Sequence, residues 1–147
     1  MIKKIFYKKK ILAIIIKKNF YKKKGISFVT PNHYNLQLGF MNHPKNYKIK
    51  PHLHFQKKIK RINTSEVLYL IEGKLRINFY NKKKEYLFSE IVNKGETVML
   101  IHEGHGFDVL KKSILLEVKQ GPYNIFLDKI KFNEESKKKK QNSITRE

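Results

Sequence analysis

Two imidazoles two residues apart, His52 and His54 in Pro51-His-Leu-His54, are the side chains best placed to do chemistry. On an extended strand, side chains i and i+2 leave the same face, so both rings would reach one point. Glu66 opens the run Glu66-Val-Leu-Tyr-Leu-Ile-Glu-Gly73, and His105 lies in Gly95-Glu-Thr-Val-Met-Leu-Ile-His-Glu-Gly-His105-Gly-Phe107. A carboxylate and a third imidazole arriving from neighbouring strands would complete a mixed nitrogen and oxygen site for a divalent ion. Imidazole suits Zn, Fe, Cu and Ni, and an added carboxylate admits Mn. His102 competes with His105 for the last position. An inward Glu66 carries Leu68 and Leu70 inward with it, and a carboxylate among leucines needs a cation beside it. An inward His105 likewise turns Phe107 and Val109 in and Asp108 out.

The elements that must hold these residues read as short strands. The run Ile11–Ile16 is β-branched and flanked by lysines. Ile26–Thr30 is stopped by Pro31, and Tyr34, Leu36, Leu38 and Phe40 alternate along one face. Tyr47–Lys50 leads into the His pair, and residues 57–63 read as a loop. Val67–Glu72 ends at Gly73; Leu75, Ile77 and Phe79 then alternate with polar partners up to the charged turn at Asn81–Lys84. Tyr86–Val92, Thr97–Ile101, Phe107–Leu110 and Ile114–Val118 follow, and Gly121-Pro122-Tyr123 breaks the pattern. Closely spaced short strands predict an all-β sandwich or barrel. Residues 1–10 read as a basic N-terminal segment, 11–123 as the barrel, and 124–147 as a Lys-rich, partly disordered tail. His33 and His43 sit in turns and are expected at the surface. Tyr69 and Tyr80 are expected as packing residues rather than cavity lining.

Composition sets the outer limits. A chain of 147 residues, 40% hydrophobic with 10 Phe and 8 Tyr, is long enough to bury one core. It has no Cys, which excludes disulfides, thiolate ligands and Cys nucleophiles and is compatible with the cytoplasm. The net charge of +21 raises a nucleic-acid partner. Only three of the 33 basic residues are Arg (Arg61, Arg76, Arg146), and the lysines are scattered rather than striped. With abundant Ile and Asn, that pattern favours A/T coding bias over recognition of nucleic acid, which prefers Arg forks. The longest apolar run is far below the roughly 20 residues of a membrane span. The start Met1-Ile-Lys-Lys lacks the long apolar stretch and small-residue cleavage site of a signal peptide.

These motifs resemble those of the cupin superfamily, a double-stranded β-helix or jelly-roll barrel. His52 and His54 match its His-x-His pair, Glu66 and Gly73 its glutamate-to-glycine spacing, and Gly95, Glu96 and His105 its second motif. Gln37-Leu-Gly-Phe-Met41, Lys50–His54, Gly104-His-Gly-Phe107 and Glu117-Val-Lys-Gln-Gly-Pro-Tyr123 are similar to stretches in a subgroup of small bacterial cupins. The resemblance spans about residues 11–123. It implies a divalent metal (Zn, Fe, Mn or Ni) held by His52, His54, Glu66 and His105, and a small-molecule ligand or substrate. Cupins include dioxygenases, decarboxylases and sugar isomerases or epimerases, so a metal-dependent enzyme acting on a sugar or sugar-nucleotide derivative is one expectation. A non-catalytic ligand binder or sensor is the second, and a basic nucleic-acid-associated protein the third. Cupins often dimerise through added strands, a role open to the N-terminal strands here.

Overall fold

The apolar run Ile11–Ile16 lies in β2 (Lys10–Ile16), where Leu12 to Ile16 are buried on both faces of the sheet. Two-sided burial explains the unbroken β-branched run, since an alternating pattern would leave one face wet. The computed structural model describes residues 1–18, 24–55, 63–121 and 129–133, and no helix occurs among them. The chain is all-β. The expected loop at 57–62, the break at Pro122-Tyr123 and the tail beyond Asn133 lie outside the described residues. No helix among the described residues is long and apolar enough to cross a membrane.

The chain forms two units, residues 1–18 with 63–147, and residues 19–62. In the first, β1 (Ile2–Tyr7) pairs with β2, β2 with β7 (Thr97–Leu100), β7 with β5 (Glu66–Tyr80), and β5 with β6 (Tyr86–Asn93). A last strand, β8 (Gly104–Lys119), pairs antiparallel with β5 over nearly its whole length. The N-terminal segment read as separate therefore contributes a strand, with Ile5 fully buried against the core. A two-residue turn at Lys8 and Lys9 joins β1 to β2, and both residues have positive φ (46° and 64°). That is the primed-turn geometry whose twist matches a hairpin.

Sequence reading ended one strand at Gly73 and began another at Leu75, and split residues 107–118 likewise. Both are single bent strands. The pairing of β5 with β8 shifts register between Leu70 and Leu75, and Gly73 sits there at φ 98°. A Cβ at Gly73 would collide with Ser113 Oγ and the Lys112 carbonyl. Gly is needed at this bend both for its φ and for the close backbone approach. The bend curls the sheet into a half-barrel. It brings Leu68 and Leu70 into one core with Leu75, Ile77, Phe79, Phe88, Val92 and Val98. At the far margins of the sheet, Lys3 Nζ on β1 reaches Glu90 Oε2 on β6 at 2.7 Å.

The opposite face of the second half of β5 carries a polar chain. Asn78 is fully buried; its amide donates to Asp108 Oδ2 (3.2 Å), and its carbonyl accepts from Ser89 Oγ (2.6 Å). Tyr86 OH lies 2.7 Å from Ser89 Oγ, and Arg76 Nη1 lies 3.4 Å from Asp108 Oδ2. Each buried polar group of Asn78 thus has a partner, as burial requires.

The second unit holds a short hairpin, β3 (Gly25–Phe28) with β4 (Gly39–Asn42). The alternation at Tyr34–Phe40 produces strand only from Gly39 onward. Its first part is held as a turn by the Gln37 amide, which donates to the carbonyls of Pro31 (2.9 Å) and Tyr34 (2.7 Å). Side-chain bonds to local carbonyls compete with strand pairing in this way.

Candidate functional site

Glu66 is the first residue of β5, and His105 the second of β8. In the β5–β8 ladder they lie at opposite ends, Glu66 beside Lys119 and His105 beside Phe79. The bend at Gly73 closes that distance. His105 Nε2 lies 3.1 Å from Glu66 Oε2, with the two side chains 27% and 18% exposed. Both project from the concave face, since the partners of this face, Leu68, Leu70, Ile77 and Phe79, are buried.

Electrostatics hold Glu66 ionised. Its carboxyl sits below the usual carboxylate range, first through the hydrogen bond from His105, against the upward push of burial, and then through the charges of His105, Lys119 and Lys129. An ionised carboxylate can only accept, so Nε2 of His105 donates to it. The pair can work in two ways. Glu66 can orient His105 as a ligand or base, or both can bind one ion. Two ligands of one ion at about 2.1 Å stand roughly 3.0–3.4 Å apart at octahedral or tetrahedral angles, which is the separation found.

The other expected site residues fall differently. His102 Nδ1 lies 2.9 Å from the Ile11 carbonyl, bonded back to β2, and His105 takes the place beside Glu66. His52 and His54 belong to the unit 19–62. Their rings stand 5.1 Å apart and both are exposed, but residues 51–55 carry no strand. His52 Nδ1 lies 2.9 Å from the Lys50 carbonyl. Among the described residues, no three His, Asp or Glu gather into a complete metal-binding group. Tyr80 is buried and packs edge-on against Tyr86 and Phe132, while Tyr69 points away from the concave face. His33 is exposed; His43 is half-buried and stacks on Tyr47 at 4.1 Å.

Lys119 on the concave wall was missed in the sequence. Only the register of β5 with β8 puts it on the same face as Glu66, and periodicity along one strand does not give that register. The wall is completed by Phe107, Val109 and Leu115, partners of Ile77, Leu75 and Leu70. They share the core face as alternation predicts, yet they are 42%, 65% and 37% exposed. They form an open apolar surface beside the Glu66–His105 pair, with the Phe107 ring 5.5 Å from that of His105.

Comparison with protein-family models, with curated proteins and with solved structures finds no match to this chain. Fold and site define an all-β protein whose larger sheet curls into a half-barrel, with a carboxylate–imidazole pair on the concave wall of that sheet.

Proposed function

We propose that this chain is a metal-binding protein of the cupin type, with a divalent ion at Glu66 and His105 and a small molecule taken at the same place. The observation that carries the reading is the 3.1 Å approach of Glu66 to His105 across the bend of β5. A carboxylate kept ionised on an apolar wall, at the spacing of two ligands of one ion, suits a cation. The resemblance of the His52/His54 and Glu66–Gly73 motifs to those of cupins is a second support for a metal. Neutral imidazoles and an ionised carboxylate bind a Zn, Fe, Mn or Ni ion and leave coordination positions for a ligand. Such an ion supplies Lewis acidity at a polarised carbonyl or activates a bound water. The side chains around it do the rest: Phe107 and Val109 exclude water from one side of the ligand.

The test is elemental analysis after equilibrium dialysis against each metal. The wild type is expected to hold one ion per chain, and His105→Ala and Glu66→Ala to hold none. Full occupancy in either variant overturns the reading.

A further inference from the structure

We infer that β8 pairs edge to edge with β8 of a second copy of this chain, antiparallel about a two-fold axis at Leu116. Among the described residues β8 has a strand on one side only, β5, along a length of 16 residues. An edge of that length invites another strand. Exposure along β8 shows what kind of neighbour is missing. On β5, with β7 on one side and β8 on the other, Leu68 is buried and Tyr69 exposed, and the alternation repeats at Leu70 and Ile71. On β8 burial does not alternate. Seven large apolar side chains from Phe107 to Val118 stand between 37% and 65% exposed, and they lie on both faces of the strand. Leu115 faces the core beside Leu70, yet Leu70 is buried and Leu115 is not. A missing layer strips one face of a strand, whereas a missing neighbour in the sheet half-strips both. The occupant is therefore a strand that is apolar on both faces.

A second β8 meets that description. The other strands with one described neighbour, β1, β3, β4 and β6, have eight residues or fewer. A two-fold antiparallel pair sets one residue opposite itself, and the charges of β8 select which. Centred on Leu115, the pair sets Lys119 opposite the copy's Lys111; centred on Glu117, it sets two carboxylates face to face. Like charges directly opposed destabilise a strand pair. Centred on Ile114, it runs into the register shifts between Ile114 and Val109, where bulges break a ladder. Centred on Leu116, it sets Leu116 against itself, Ile114 against Val118 and Lys119 against Ser113, with no like charges opposed. The same surface serves both copies, so the assembly closes at two.

Light scattering and disulfide trapping test the pairing on the full chain, which has no Cys of its own. The wild type is expected to be a dimer. Leu116→Lys, which opposes two ammonium groups at the axis, is expected to be a monomer with an unchanged circular dichroism spectrum. Directly opposed residues have Cα atoms about 4.5–5.5 Å apart, within the span of a disulfide. Mild oxidation should therefore convert Leu116→Cys to covalent dimer. Leu115→Cys, whose counterpart lies on the diagonal at about 7–8 Å, and Lys94→Cys, in an exposed turn, should stay monomeric on a denaturing gel. A wild type that is a monomer at every concentration overturns the inference, whatever else binds β8. So does a dimer that Leu116→Lys leaves intact, a dimer in which Leu116→Cys cross-links no faster than Lys94→Cys, or an assembly that grows beyond two.

Discussion

Glu66 and His105 lie 39 residues apart in sequence and at opposite ends of one strand ladder, yet their side chains meet at 3.1 Å. The contact depends on β5 and β8 bending together at Gly73. That bend needs φ near 98°, with the Ser113 side chain and Lys112 carbonyl pressed against the missing Cβ.

Gly73→Val should therefore destabilise the fold by about 2 kcal/mol or more, from left-handed strain plus overlap with Ser113. Urea denaturation measures the loss. A variant as stable as the wild type would mean that the bend is not set at Gly73.

The Glu66 pair has a pH signature in the metal-free protein. Its folded pKa is lowered relative to the unfolded carboxyl, by His105 first and by Lys119 and Lys129 after it. A lowered folded pKa contributes stability that is complete above the unfolded value, about 4.3, and is lost as pH falls through the folded one. The urea midpoint of the wild type should drop through this acid range more steeply than that of Glu66→Gln. Parallel curves for the two would contradict the pairing.

The β1–β2 turn places two lysines at positive φ, where L side chains are strained. Replacing Lys8-Lys9 by Asn-Gly should stabilise the protein by about 1 kcal/mol, since those residues accept the primed turn. A rise in melting temperature is the readout, and a fall would argue against that hairpin.

Buried Asn78 joins Ser89 to Asp108. Asn78→Ala should cost about 1–3 kcal/mol, because it leaves the Ser89 hydroxyl and Asp108 without their shared partner. Asn78→Ala combined with Ser89→Ala should lose less than the sum of the two single changes, the mark of one connected network.

Much of the strand content was legible because alternation and β-branched runs report burial directly. Ile11–Ile16, Leu75–Phe79 and Thr97–Leu100 all lie in strands. Gly73 misled, because glycine that ends a strand and glycine that bends one look alike until the register of the partner strand is known. Tertiary contacts likewise separate His102 from His105. His102 turns back to Ile11, while His105 faces in beside Phe79. Periodicity says which way a side chain points along one strand. It does not say which distant strand it will meet, so Glu66 could be named as a candidate but its contact with His105 could not be derived. Lys119 escaped notice because a lysine in a chain with 33 basic residues carries little signal by itself.

The central claim, one ion held at Glu66 and His105, is tested most directly by X-ray absorption at the metal edge of the loaded protein. The account predicts a first shell of nitrogen and oxygen at about 2.0–2.2 Å with outer scattering from imidazole, reduced in His105→Ala. A spectrum without imidazole scattering, or one unchanged by His105→Ala, would contradict it.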